Sequence, residues 1–464
     1  MGIVSIFNWK KIKPEDDYQL TNEDWLLLSN MLYKNINRGQ AINSFINKTD
    51  YIEKGYVRNA AVYSVISTRA NAAKGIPWLV YKVKSGSKLK QYKGISNKAA
   101  DLHRTLTLKA SALEEVSDTV VNRLLEKPNP CQSFSEIIES MFVYRDTTGD
   151  AYLAQVANPW TKEIIQLFVL PSDKTKIIAG PFNNPIAGYS FDDFSKELIL
   201  PENVFHWKYF NPQWDADGRQ LYGLSPLVAA SQNINSDNAG IDNETSSFAN
   251  EGVKGILTGT KDTEIEFTKA QSDLLLKKLS KATRRAKEGG GSVAFNRAPM
   301  DYIKIGETPV DLGVLDSRKY NKEVLCNIFQ IHPSLLSSDA STLNNLSEAR
   351  KALLTMSVMP DMDSLRDNLN TMIQRSFGEQ WFVDYDIMAI SELQDDLEKL
   401  SKTLYNMDWI SANEKRAATQ YEEYDKSTTN PADMIFTDMG KVPLGYGMDS
   451  GFDDIDDNID KIRI

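Results

Sequence analysis

The sequence predicts an α+β protein of several domains, and three observations support this fold class. The chain has 464 residues, a length that corresponds to about three domain-sized units. Hydrophobic residues make up 41% and charged residues 25%, so the chain can bury a sizeable core as other globular proteins do. Helical and strand patterns alternate up to about Trp207, and helical patterns with one compact insert follow Gly223.

The first elements are an arm, a helix and a strand. Residues 1–50 are polar and irregular, which predicts an N-terminal arm. Apolar residues recur at helical spacing across 57–74, and a glycine and a proline then end the pattern. A strand is predicted from Trp78 onward, because bulky apolar and aromatic residues follow the proline.

A second helix is predicted over residues 135–144. Ser133 is its expected N-cap, and Glu136 stands three residues later, at the capping-box position. The chain then passes through Gly149 into a strand, and further strands separated by proline and glycine continue to about Trp207. These patterns predict that the first half is one α+β unit.

A different pattern starts after Gly223. Residues 225–250 contain no proline after Pro226, a residue suited to the first helical turn. The bulky apolar residues fall seven apart and are flanked mainly by small polar side chains, so the helix buries little surface by itself. We expect it to pack within a bundle or ring; the alternative is an ordinary surface helix with chance spacing. The seam residues are Leu227, Ile234, Ile241 and Phe248.

A compact insert is predicted at residues 253–312, with a strand at 255–257, a helix at about 268–287 and strands at 292–295 and 302–305. The insert helix carries a basic run whose spacing places several cations on one side. This run is either a solvated helix face or a docking face for DNA or an acidic partner. Its residues are Lys277, Lys278, Lys281, Arg284 and Arg285.

The remaining elements are mostly helical. An amphipathic helix is predicted over 316–330, a polar loop over 334–345, and a long helix over 347–377 with an interruption at Pro360. A strand at 381–385, a small leucine-repeat helical unit and a disordered acidic tail complete the chain. The repeat leucines are Leu393, Leu397, Leu400 and Leu404.

No motif indicates enzyme chemistry. The three histidines and two cysteines show no spacing typical of zinc ligands. The segment from Gly255 to Lys261 superficially resembles a phosphate-binding loop, but its glycine spacing is wrong and Thr260 precedes the lysine. We therefore expect no catalytic activity, no metal ion and no cofactor. We also expect no membrane span, because no apolar run reaches the roughly 18 residues that a bilayer requires.

Four segments, in this order, resemble the portal proteins of long-tailed bacteriophages. Each is weakly specific alone, but together they cover about residues 55–420. The chain departs from the common family pattern at Asp150, where Asn is frequent, at His332 and at Ser337. The segments are Asn59-Ala-Ala-Val-Tyr63 with Gly75-Ile-Pro-Trp78; Leu124-Leu125 and Pro128-Asn-Pro130 with Gly149-Asp-Ala-Tyr-Leu153; His206-Trp-Lys208 with Gly223-Leu-Ser-Pro-Leu227; and Phe329-Gln-Ile-His-Pro333 with Leu335-Leu336.

The resemblance implies a multidomain portal fold that assembles into a ring, usually of twelve subunits, at one capsid vertex. Its parts are a wing, a helical stem around a channel, an α/β clip and a helical crown. The implied ranges are 1–50, the arm; 51–222, the first part of the wing; 223–252, a stem helix; 253–312, the clip; 313–331, the second stem helix; 332–346, the tunnel loop; 347–390, the second part of the wing; 391–446, the crown; and 447–464, the acidic disordered tail.

The implied function is a channel for double-stranded DNA during packaging and ejection. The alternative is another structural head–tail connector or a minor capsid protein. The implied partners are other copies of the chain, the major capsid or scaffold protein, the terminase large subunit, a head–tail adaptor and DNA bound without sequence specificity, with no membrane. The chain would be made in the host cytoplasm and reside in the virion.

The tunnel loop is implied to face DNA without gripping it. A formal net charge of −10 suits a channel through which DNA slides, because each neutralised phosphate would add affinity that translocation must break. The loop contains no cation and can contact the duplex only through hydroxyl, amide or water-mediated contacts. Its candidate DNA-facing residues are Ser337, Ser338, Asp339, Ser341, Thr342, Asn344 and Asn345.

Overall fold

A computed structural model divides the chain into two compact units, one of Met1–Ser231 with Leu325–Ile464 and one of Gln232–Val324. The second unit therefore interrupts the first in sequence. The structure describes residues 42, 44, 47–95, 98, 101–180, 184–191, 198–215, 218–249, 255–259, 269–270, 273–274, 277, 300–304, 313–336, 343–393, 398, 401–402, 404, 410–418, 436–437 and 442–443.

Side-chain caps stabilise some of the helices that precede the second unit, and the sequence predicts the cap at Ser133. The Asn59 side chain accepts hydrogen bonds from two backbone N–H groups, each at 3.0 Å, and Ser133 forms the predicted capping box with Glu136. In chain order these helices are Lys48–Asp50 (α1), Ala60–Lys74 (α2), Gly86–Lys93 (α3), Leu102–Ala112 (α4), Val120–Glu126 (α5), Phe134–Thr148 (α6) and Pro226–Ala229 (α7).

Two three-stranded antiparallel sheets organise this unit, with strand orders β10–β1–β2 and β4–β3–β7, and β5 pairs with β6. In the second sheet Asp150 lies opposite Lys208, and Tyr152 lies opposite His206. The strands are Trp78–Val83 (β1), Leu113–Glu115 (β2), Asp150–Ala157 (β3), Ile164–Leu170 (β4), Thr175–Ala179 (β5), Ile186–Phe191 (β6), Val204–Lys208 (β7) and, after the second unit, Trp381–Tyr385 (β10).

The core of the first unit lies between these helices and sheets. Helix α2 packs against α6, and Ile66 and Phe142 are fully buried. One apolar cluster joins Ile42 to Tyr152 and Tyr222, so the segment predicted as an arm already contributes to the core at Ile42. Its backbone N–H also donates to the carbonyl of Ile177 at 2.8 Å.

The second unit contains most of two helices and a strand pair. The helices are Ser231–Ala249 (α8) and Val314–Ile328 (α9). The strands Gly255–Gly259 (β8) and Met300–Lys304 (β9) pair in antiparallel fashion, which confirms the strands predicted near 255 and 302. The strand predicted at 292–295 lies outside the described residues. Lys269, Ala270, Asp273, Leu274 and Lys277 are helical.

The later helical region differs from the prediction at two points. Helix Leu343–Ala352 (α10) starts four residues before the predicted helix, because Asn344 and Asn345, flanked by two leucines, join its first turn. The interruption expected at Pro360 is instead a π-helical stretch, Leu353–Val358, that leads directly into Met359–Phe377 (α11). Proline is tolerated there because it stands in the first turn of α11. Ala412–Ala418 (α12), Phe436–Thr437 (β11) and Val442–Pro443 (β12) follow.

Candidate functional site

The predicted tunnel loop is only partly within the described residues. A short 3₁₀ turn at Pro333–Leu335 precedes it, and Ser337, Ser338, Asp339, Ser341 and Thr342 lie outside the described part of the chain. Asn344 and Asn345 are in the first turn of α10, so the prediction that they belong to the loop is wrong. Such small polar residues fit a helix start as well as a loop, which explains the error.

Of the predicted docking face, one residue lies within the described part of the chain. Lys277 is helical and exposed, whereas Lys278, Lys281, Arg284 and Arg285 lie outside the described residues. A role for the basic run in docking therefore stays a prediction.

The predicted seam helix is broken into two pieces. Helix α7 ends at Ala229 and α8 starts at Ser231, with Ala230 between them at φ −88° and ψ 1°. Leu227 is 0% exposed and Ile234 is 5% exposed, so a single chain already covers both side chains. Ile241 is partly exposed, and the side chain of Phe248 is not among those that the structure describes. The seven-residue spacing thus predicted that these side chains are buried. It did not predict whether the same chain or a neighbouring subunit covers them.

Two glycines of the family-like segments touch backbone to backbone. Gly149 ends α6 in a left-handed conformation, with φ 89°. A Cβ atom at Gly149 would lie 2.7 Å from the carbonyl oxygen of Gly223, and a Cβ at Gly223 would overlap the carbonyl oxygen of Gly149. Any side chain at either position would separate the two segments. Glycine at both positions therefore allows the two segments to touch, which a residue with a side chain would prevent.

Asp150, the next residue, is the centre of a buried ionic cluster. Its carboxylate lies 2.7 Å from Lys48 Nζ and 2.7 Å from His206 Nε2, and it accepts the Gly223 backbone N–H at 2.6 Å. Lys48 Nζ also lies 4.4 Å from the ring centroid of Tyr222. One carboxylate thereby joins residues 48, 206 and 223 at the junction of α6 and β3.

The protonation states in this cluster follow from burial and charge. Burial favours the neutral carboxyl, but the Lys48 ammonium and the hydrogen bond from His206 together outweigh it and hold the pKa of Asp150 below its usual value. Burial lowers the pKa of His206, although Asp150 acts in the opposite direction. His206 is therefore neutral at pH 7, and its Nε2–H donates to the carboxylate. The cluster holds one buried positive and one buried negative charge.

A second cluster centres on Arg69 of α2. Its guanidinium contacts Asp146 at 2.6 Å, also pairs with Asp361, and donates to the Ser357 hydroxyl at 2.9 Å. Tyr209 donates to the same Asp146 carboxylate at 2.7 Å. Burial raises the pKa of Asp146 above its usual value, even beside Arg69. This cluster ties α2, α6, the segment after β7 and the π-helical stretch before α11 together.

A third cluster surrounds Asp384 of β10. The Tyr92 hydroxyl donates to its carboxylate at 2.6 Å, and Lys109 Nζ lies 3.4 Å away. Arg366 of α11 approaches it to 3.6 Å. Burial would raise the pKa of Asp384, but the cations hold it below its usual value. This arrangement fixes α3, α4 and α11 around one strand.

In the second unit, one arginine bridges the two helices. Arg318 of α9 contacts Asp237 at 3.1 Å and Glu244 at 3.0 Å, both on α8. The Asn233 amide donates to the Asn321 side chain at 2.9 Å. Gly240 allows a close approach, since a Cβ there would lie 3.2 Å from Val314 Cγ1. These polar contacts fix the alignment of α8 with α9.

The described chemistry is structural. In the buried clusters the charged groups are engaged with partners from distant parts of the chain. No group of three or more His, Cys, Asp or Glu residues suited to a metal ion occurs in the described ranges. None of the described helices is long and apolar enough to cross a membrane. The sequence analysis missed Lys48, Arg69 and Asp384, because their partners are remote in sequence.

Comparison with known proteins gives a family match and a relative of similar length. The family model for the phage portal protein matches residues 60–419. An uncharacterized protein of Rickettsia bellii (strain RML369-C) is 25% identical over 381 residues, which cover 78% of this chain and 86% of the relative.

Two solved structures contain chains with a fold similar to that of this chain. The neck of a native GTA particle, computed with C12 symmetry, matches with a TM-score of 0.60 and 18% identity, and covers 86% of this chain and 100% of that one. The virion of a native gene transfer agent (GTA) particle matches with a TM-score of 0.59 and 18% identity, over 86% of this chain and 99% of that one. At this identity the likeness shows the fold.

Proposed function

The chain belongs to the phage portal protein family, and we propose that it forms a closed ring at a capsid vertex through which double-stranded DNA enters and leaves. The observation that carries the proposal is the family match over residues 60–419. The match to a particle neck computed with C12 symmetry supports a ring, with twelve subunits as the expected number. The family is one of structural proteins, and we propose no catalytic activity for this chain.

The described helix pair supports a stem. Helices α8 and α9 are bridged by Arg318 through two carboxylates of α8, so they can act as one stiff element. A channel wall must keep its shape while a polymer moves past it, and paired helices with fixed alignment suit that task. In this proposal residues 51–222 and 347–390 are the wing, 253–312 the clip and 391–446 the crown.

Electrostatics supports passage of DNA rather than tight binding. The formal net charge is −10, and a protein that bound DNA through many phosphate contacts would usually carry a basic surface. The proposed tunnel loop, now the residues 332–342 that precede α10, contains no lysine or arginine. Contacts between this loop and the duplex would therefore carry neither strong affinity nor sequence readout.

Each proposed part of the chain has its own proposed partner. The wing would contact the major capsid or scaffold protein, and the clip would meet the terminase large subunit during packaging and the head–tail adaptor later.

Charge reversal at Lys277, Lys281 and Arg284 to Glu tests the clip assignment. We expect intact rings, with motor or adaptor binding that is weaker and loses its salt dependence. Reversal at the exposed pair Lys54 and Lys402 is the matched control; equal binding by both variants would contradict the assignment.

Loss of DNA filling tests the proposed function as a whole. Disabling the chain in the genome that encodes it should leave capsid protein at normal levels but yield particles without DNA. Supplying the chain from a plasmid should restore filling. Particles that fill normally without the chain would contradict the DNA-channel proposal. Particles that fill but lack tails would favour another head–tail connector instead.

A further inference from the structure

A closed ring needs two different surfaces on each subunit. In a head-to-tail ring, one surface of every subunit contacts a different surface of the next. The proposed function therefore requires two complementary patches on opposite sides of one rigid part of the chain. Leu227 and Ile234 cannot provide them, because both are buried within a single chain.

The turn between β3 and β4 carries the first patch. Trp160 at this turn is 87% exposed, and Val156 and Ile165 on the two strands are 45% and 53% exposed. The turn is ordered by hydrogen bonds: the Asn158 side chain accepts the Trp160 N–H at 2.9 Å, and the Asn158 N–H donates to the Glu163 carbonyl at 2.8 Å. We call Val156, Trp160 and Ile165 the hairpin patch.

The segment that follows β7 carries the second patch. Phe210 is 84% exposed and Trp214 is 59% exposed. The Asn211 side chain fixes this segment, since it donates to the Tyr222 carbonyl at 3.2 Å and accepts the Gln213 N–H at 3.0 Å. We call Phe210 and Trp214 the loop patch. Trp160 and Phe210 are the two most exposed large apolar side chains among the described residues.

The sheet places these two patches at opposite ends. Strand β7 runs antiparallel to β3, with Asp150 opposite Lys208, so the segment after β7 emerges where β3 begins. The hairpin patch lies where β3 ends. Seven residue steps of about 3.4 Å separate the two ends, a span of roughly 24 Å. Both patches belong to the first unit, so one framework holds them.

The geometry points to a contact between subunits: we propose that the hairpin patch of one subunit packs on the loop patch of the next. This inference rests on the proposed function of the chain as a ring subunit. The occupant is a second copy because a head-to-tail contact requires two unlike patches at opposite ends of one body. Residues 158–163 contain one lysine and one glutamate, and residues 209–214 contain no charged side chain, so the patches meet without repulsion.

Aromatic composition and order favour such a contact. Tryptophan and phenylalanine are enriched in protein interfaces, where their large rings bury much area. Both segments are already ordered by hydrogen bonds, so association does not have to order them, and its entropic cost is smaller. A strongly charged partner such as DNA would gain nothing from these neutral surfaces.

Single substitutions test whether the patches hold the ring. Trp160→Ser and Phe210→Ser in the full chain should each abolish rings in native mass spectrometry and negative-stain images. Met356→Ser is the matched control, since Met356 is 64% exposed in the same unit but outside both patches, and it should keep full rings. The two patch variants, both monomeric, should unfold at the same temperature, because exposed side chains contribute little to folding.

A mixture of the two variants tests whether the patches face each other. Trp160→Ser retains an intact loop patch, and Phe210→Ser retains an intact hairpin patch. Mixing them therefore leaves one intact junction per pair, so the expected product is a one-to-one heterodimer that does not grow. Different affinity tags make the two subunits distinguishable by mass.

The outcomes separate this inference from the proposed function. If wild-type protein forms no rings, the ring proposal itself fails. If wild-type rings form and either patch variant also forms them, or if Met356→Ser dissolves them equally, the patch assignment is overturned while the ring proposal stands. If both patch variants are monomeric but their mixture gives no heterodimer, the patches do not face each other. Intact variant rings that fail to enter capsids would assign the patches to the capsid protein.

Discussion

Replacing Gly149 by alanine should destabilise the first unit strongly. Its φ is 89°, and left-handed backbone costs a non-glycine residue about 1–2 kcal/mol. The added Cβ would lie 2.7 Å from both the Gly223 carbonyl oxygen and the Ser225 nitrogen, so the backbone must move. Overpacking of this kind costs about 1–3 kcal/mol, and the two effects together give about 2–5 kcal/mol.

Substitutions at two other glycines separate the cost of backbone strain from the cost of steric overlap. Gly378 also has a positive φ, 99°, but an added Cβ would have no atom within 4 Å, so Gly378→Ala should cost only the strain, about 1–3 kcal/mol. Gly223→Ala should cost only steric overlap, because its added Cβ would collide with the Gly149 carbonyl and press on Lys208 Cβ. Thermal unfolding of the full chain, followed by tryptophan fluorescence, should give Gly149→Ala a lower melting temperature than Gly378→Ala. Equal melting temperatures for Gly149→Ala and Gly378→Ala would refute the argument that the two motif segments touch.

Three further changes test the buried clusters and the helix pair. Lys48→Met should destabilise the first unit by about 3–5 kcal/mol, because Asp150 loses its buried counter-ion, and adding Asp150→Asn should restore much of the loss in thermal melts; no rescue would contradict the pairing. Stability should fall as pH drops below about 6.5, because His206 is protonated in the unfolded chain but resists protonation when folded. In urea titrations between pH 7.5 and 5.5, His206→Gln should weaken that dependence, and an unchanged slope would contradict the assigned neutral state. Arg318→Met should lower the stability of the second unit by about 1 kcal/mol, measured by hydrogen exchange of α8 and α9, whereas Lys319→Met on the exposed face of α9 should not.

Local signals in the sequence predicted local structure. The Ser133 capping box is confirmed, because a cap depends on residues within one turn of each other. The strands near 255 and 302 are confirmed for a similar reason. The helix after Ser133 continues to Thr148, four residues past the predicted end at 144. The start of α10 was predicted four residues late, since Asn344 and Asn345 fit a loop and a first helical turn equally well.

Long-range contacts could not be predicted in this way. Arg69 meets Asp146 and Ser357, which are 77 and 288 positions away, and no periodic pattern connects them. The heptad of Leu227 and Ile234 showed that these residues are buried but not that one chain alone covers them. The family-like segments were recognised as separate motifs, and the structure gives the physical reason for two of them: Gly149, Asp150, His206 and Gly223 meet at one buried carboxylate and one close backbone contact.

Stoichiometry and symmetry of the purified chain test the central claim most directly. Native mass spectrometry should show one dominant species whose mass is a whole-number multiple of the subunit mass, with twelve as the expected multiple. Negative-stain class averages of the same sample should show rotational symmetry and a central opening. Monomers, twofold dimers or open filaments, at protein concentrations and salt that keep the chain folded, would contradict the account.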